Sequence, residues 1–133
     1  MTPLAAVEHW TLARYFWDPS SDPRELRRHY IWRVYREAAP DVEKFYCTLH
    51  NFIHEHVAFN QPIEFEDESQ VGTLACLTPA THGRGTLADE LTRHLDAAEK
   101  AVRNPMSAKM LRALRQNWDA YIARAKTYAE TLK

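Results

Sequence analysis

Four side chains in one stretch carry the clearest chemical suggestion in this chain. Glu43, Cys47, His50 and His54 recur at steps of four, three and four residues. A helix turns about 100° per residue, so these groups fall along one narrow stripe. Histidines four apart can chelate a transition metal, and a glutamate or cysteine can add a ligand. The stretch reads His-Asn-Phe-Ile-His, without the glutamate that follows the first histidine in metalloprotease helices. No second helix offers a carboxylate–histidine pair of the di-iron kind. The competing reading is a polar border on a partly exposed helix, and no resident metal or cofactor is implied.

Other groups are capable of chemistry but lack a frame for it. His54, Glu55, His56 and His82 could exchange protons, yet no nucleophile stands in a recognisable motif beside them. Asp18 and Asp22 are paired carboxylates, each followed by proline, which suits a helix stop and a helix cap better than acid–base work. Gly83-Arg84-Gly85 precedes a helix but has neither phosphate-loop spacing. Aromatic side chains are dense between Trp10 and Tyr46, and most are expected in the core. Trp17, Trp32 and Tyr35 are the ones expected to face a neighbouring domain or a sugar ring. No catalytic residue is assigned.

The elements that would position these groups follow from apolar spacing and helix punctuation. Leu4, Val7, Trp10 or Thr11, Arg14 and Trp17 predict a first helix over 4–17, stopped by Asp18-Pro19. Asp22 as N-cap, Pro23 at the first helical position and Glu25 as a capping-box carboxylate start a second helix over 23–38. Tyr30, Trp32 and Tyr35 beside Leu26, Ile31 and Val34 make that helix apolar on several sides, as though sandwiched. Pro40-Asp41 opens a third helix over 41–59, with Val42, Phe45, Leu49, Phe52 and Ile53 on its apolar face. Residues 60–85 read as irregular, with short strands near Ile63–Phe65 and Val71–Leu77. Thr86 caps a fourth helix over 87–103, and Asn104-Pro105 turns tightly into a fifth over 105–132. The short link makes the last two an antiparallel hairpin. The expectation is one all-α, bundle-like domain of about five helices spanning 1–133.

Composition sets the outer limits. The 133 residues suffice for one modest core, and three glycines against a usual share of about 7% favour helix throughout. A formal net charge of −1 argues against nucleic acid, and the series Arg24, Arg27, Arg28 and Arg33, mostly on solvent-facing turns of helix two, has acidic neighbours that offset it. Charge is uneven: Glu64, Glu66, Asp67 and Glu68 cluster, while seven Lys/Arg lie in 103–133 against Asp119 and Glu130. Cys47 and Cys76 form no CxxC and no disulfide framework, although a single bond stays open. No apolar run is long enough to span a membrane, and the start lacks the basic-then-apolar order of a signal peptide. No compartment is indicated.

The opening block, Phe16-Trp17-Asp18-Pro19, Ser21-Asp22-Pro23, Val34-Tyr35-Arg36 and Ala38-Ala39-Pro40 followed by Phe45-Tyr46, resembles a known arrangement. It is similar to the helical region that follows the (β/α)8 barrel in bacterial glycoside-hydrolase-like proteins related to α-glucuronidases and hexosaminidases. The likeness covers roughly 4–49. Arg36 stands where that family usually has glycine. The resemblance implies a non-catalytic accessory module packed on a sugar-hydrolysing barrel, with the catalytic carboxylates in the barrel. The alternatives are a stand-alone binding or assembly domain, such as a homodimer through the aromatic face of helix two, and a metal-binding protein using His50 and His54.

Overall fold

The computed structural model describes residues 3–56 and 85–131, with the side chains of 52–56 excepted. Five α-helices are present among them: α1 (Pro3–Trp17), α2 (Pro23–Tyr35), α3 (Ala39–His56), α4 (Leu87–Ala101) and α5 (Pro105–Thr131). A 3-10 turn at Arg36–Ala38 joins α2 to α3, and there is no strand among the described residues. The all-α expectation therefore holds. Most of the expected irregular segment, with its two strands, the acidic cluster, Cys76, His82, Gly83 and Arg84, lies outside the described residues.

Helix starts follow the sequence punctuation closely. Asp22 accepts a hydrogen bond from the Arg24 amide at 2.9 Å, with Pro23 in the first turn; Glu25 closes no capping box there. The capping box forms instead on α4, where Thr86 and Asp89 exchange side-chain and backbone bonds. Gly85 precedes it at φ +93, and a side chain there would run into the Asp89 carboxylate. The Asn104 side chain accepts from the amides of Met106 and Ser107 and so caps α5. Each bond removes an orphan donor from a helix start.

The core is one cluster drawn from all five helices. α1 packs chiefly on α2, α3 on α4, and α5 lies against α1, α2 and α4. Trp118 is 0% exposed, its indole N–H donating to Thr92 Oγ1 at 3.0 Å. Phe45 meets it edge-on and Tyr121 stacks beside it. Arg115 on α5 reaches Asp96 at 2.7 Å and Glu99 at 3.3 Å on α4. As position rises along α4 from 92 to 96, its partner on α5 falls from 118 to 115, which is the antiparallel hairpin expected. The N-terminal end of α1 is fixed from two sides: the Leu4 amide donates to Asn117 and its carbonyl accepts from the buried Tyr46 hydroxyl.

Several details differ from the sequence reading, among them the end of α4, which falls at Ala101 rather than residue 103. α2 ends at Tyr35 rather than residue 38, because Arg36 turns out of the helix at φ 47, ψ −111. That redirection delivers Ala38 and Ala39 into the core, and the 3-10 turn packs on α4. α3 consequently begins at Ala39, with Pro40 in its first turn, where no amide is needed. The buried stripe of α1 stops at Thr11, and Arg14 and Trp17 are exposed.

The broken end of α2 is repaired from outside. The Ser107 hydroxyl, buried, donates to the Val34 carbonyl at 2.7 Å. Glu37 accepts the amides of Arg103 and Asn104, both at 3.1 Å, tying the α4–α5 link to the turn. These two amide bonds and the nearby Arg36 charge hold the Glu37 carboxyl below its ordinary range. Arg36 itself sits in backbone space that suits glycine, at a strain of roughly 1–3 kcal/mol. Arg36→Gly should therefore raise the unfolding free energy by about 1 kcal/mol after the added chain entropy of glycine is subtracted. Urea denaturation of the two proteins measures this, and an unchanged or lowered midpoint contradicts it.

Candidate functional site

Of the stripe expected on helix three, the described members Glu43, Cys47 and His50 line a groove of about 450 Å³ between α2 and α3. Each faces different neighbours. Glu43 accepts the Trp32 indole N–H at 3.0 Å and lies 3.6 Å from the Arg28 guanidinium. His50 Nε2 lies 2.8 Å from Glu8 Oε1 on α1, an ion pair when the imidazole is protonated. The contact is not aligned as a hydrogen bond, so this shielded nitrogen has no hydrogen-bond partner. Cys47 is a free, exposed thiol, and burial on its inner side together with the Glu43 charge pushes its pKa up, away from a reactive thiolate. Among the described residues no three His, Cys, Asp or Glu side chains are placed to hold a metal ion. The side chains of His54, Glu55 and His56 lie outside the described residues.

Glu8 organises this region, and the sequence reading passed over it. It is the only acidic residue of α1 and borders the buried Leu4–Val7–Thr11 stripe. Its carboxylate meets Arg27 of α2 at 3.2 Å as well as His50 of α3, so three helices converge on one charge. Burial alone would raise the Glu8 pKa, but His50 and Arg27 outweigh it and hold the carboxyl below its ordinary value. A lone carboxylate on the edge of an apolar helix stripe was the signal available for it.

The aromatic expectations divide by depth. Tyr35, expected as a contact residue, is 1% exposed and belongs to the core, because the turn at Arg36 tucks the end of α2 inward. Burial drives its phenol pKa far up, so it has no proton to give near neutrality. Trp17 is 88% exposed at the tip of α1 and Phe16 is 72% exposed beside it. Trp32 is 42% exposed on the outer face of α2.

No family model, curated protein or solved structure matches the chain.

The paired carboxylates Asp18 and Asp22 have local roles. Asp18 Oδ1 accepts from the Ser20 hydroxyl at 2.6 Å and the Ser20 amide at 3.1 Å, and these bonds lower its pKa. Asp22 caps α2. Together they fold the turn between α1 and α2, as the helix-stop and helix-cap reading requires. Gly85 supplies the backbone turn before the Thr86 cap. Of the basic series, Arg27 is partly buried against Glu8, while Arg24 and Arg33 face solvent. No described helix is long and apolar enough to cross a membrane.

The Glu8 clasp yields a pH prediction. Because the folded-state pKa lies below the unfolded one, its stabilisation is complete above the ordinary carboxylate pKa and is lost as pH falls through the lowered value. Glu8→Gln should cost about 1 kcal/mol at pH 7, a modest value because the pair is partly solvated. The gap between wild type and variant should close once the wild-type carboxyl is protonated in strong acid. Thermal melts across the acid range check this, and a gap that persists or widens there refutes it.

Proposed function

We propose that this chain is a non-catalytic helical accessory domain of a glycoside-hydrolase-like protein, docked on a catalytic barrel. The observation that carries the reading is the exposed apolar end of α1, where Leu12 and Phe16 adjoin one turn apart and Trp17 closes the helix, all three more than half exposed. α1 already buries Leu4, Val7 and Thr11 on its inner side, so its own core does not need these further apolar side chains. Clustered exposed apolar surface of this kind marks an association site. Large aromatics at such a site supply most of the binding energy.

The backbone at the resembling positions supports the family reading. Asp18 ends α1, Asp22 starts α2, and the next break falls at Arg36. Arg36 takes a positive φ at the position where that family usually carries glycine. No residue of this chain is assigned to sugar hydrolysis, and the carboxylates doing that chemistry belong to the barrel.

The test starts from the coding sequence that flanks this segment. A neighbouring barrel-coding segment is expected; expressed separately, its product should co-elute with this chain in gel filtration. Phe16→Ala together with Trp17→Ala should weaken that association at least about tenfold. Absence of a barrel-coding neighbour overturns the reading. So does concentration-dependent self-association in sedimentation without barrel binding, which would make the chain an assembly domain instead.

A further inference from the structure

Beyond docking, the outer side of the α1–α2 pair carries a second feature built from different residues. A cleft of about 600 Å³ lies between them, lined by Trp10 and Arg14 of α1, by Glu25, Arg28 and Trp32 of α2, and by Asp22 at the turn. Phe16 and Trp17 take no part in its lining. We propose that this cleft binds a neutral saccharide, with Trp32 as the stacking platform and Arg14 and Glu25 as the hydroxyl-binding pair.

Three observations lead to that ligand class. The first is orientation. Trp32 is partly exposed and its ring is oriented: its N–H is bonded to Glu43 at 3.0 Å, and the Arg28 guanidinium lies over one face, 5.7 Å from the centroid, so stacking uses the other face. An indole held in this way is a preformed flat surface for the C–H face of a pyranose ring, with little ordering left to do on binding. Trp10 forms the opposite wall, held by stacking on His29 at 6.1 Å and by contact with Tyr30.

Charge balance is the second observation. Arg14 and Arg28 are offset by Asp22 and Glu25, so the lining has no excess of either sign to select an ion. A hydroxylated ring needs both an acceptor and a donor, and a carboxylate beside a guanidinium supplies them. Spare bonding capacity is the third. Glu25 makes no hydrogen bond or ion pair among the described residues, and the contact of Arg14 is with the face of Trp10 at 5.7 Å. Both side chains are exposed and available. The volume falls within the usual range of small-molecule sites, roughly 300–1,000 Å³.

The test uses the full chain labelled with ¹⁵N and titrated with cellobiose, maltose and xylobiose up to about 10 mM, a range that covers weak sites. The indole N–H resonance of Trp32 should shift in a saturable way with at least one disaccharide, while that of Trp118, fully buried, stays in place. Trp32→Ala and Glu25→Gln should each weaken binding at least about tenfold, read by calorimetry. Glu25→Gln removes only an exposed charge, so it tests the site even where Trp32→Ala disturbs folding. No saturable shift with any of the three sugars overturns the proposal. So does binding that both variants leave intact, or tighter binding of inorganic phosphate or glucuronate than of the neutral sugars. Barrel association is a separate measurement on separate residues, so failure of one proposal leaves the other standing.

Discussion

Burying the whole of Trp118 sets the terms for the rest of the bundle. An indole brings one donor with it, and an unpaired buried donor would cost about 1–3 kcal/mol. Thr92 on α4 meets that donor, which fixes the register of α4 against α5. Phe45 then fills the space at the ring edge and brings α3 in, and Tyr121 closes the stack one turn along α5. Around this centre the leucines of α4 and α5 are fully covered. The polar links at the periphery, such as Arg115 to Asp96, follow from a register already chosen by the ring.

α1 and α2 relate to this centre differently. Their inner faces join the core through Val7, Ile31 and Tyr35, and the Glu8 charge holds them to α3 where apolar contact runs out. Their outer faces carry aromatic surface that the bundle does not cover. The same pair of helices thus closes the fold on one side and presents the two proposed contact regions on the other. The hydrogen-bonded turn at Asp18–Asp22 joins those regions.

Much of this was readable in the sequence because the information is local. Asp22-Pro23, Thr86 and Asn104-Pro105 mark helix starts through bonds spanning two or three residues, and each forms. What escaped was set by distant partners. The residue types near Arg36 do not announce a break, since the helical spacing continues through Tyr35 to Ala38 and Ala39; only the resemblance, with its usual glycine at this position, marks it. The break becomes stable because Ser107 and the Arg103 and Asn104 amides, some seventy residues on, meet the groups it exposes. Tyr35 was misplaced for the same reason. Glu43 and His50 kept the spacing that suggested a metal site, but only the packed helices put Trp32, Arg28 and Glu8 within their reach. Trp32 shares its cleft with Arg14 and Glu25, which the sequence offered only as part of the helix-one spacing and as a capping-box carboxylate.

The bond from Ser107 to the Val34 carbonyl has a bearing on how the molecule comes apart. Helix ends ordinarily fray alone, a turn at a time, at almost no free-energy cost. Here the end of α2 shares a partly buried hydrogen bond with the first turn of α5, so neither can open without leaving the buried Ser107 hydroxyl unmet. Two segments remote in sequence become one cooperative unit. Amides at the close of α2 should exchange with solvent at the pace of the α4–α5 hairpin rather than at the pace of a loose end.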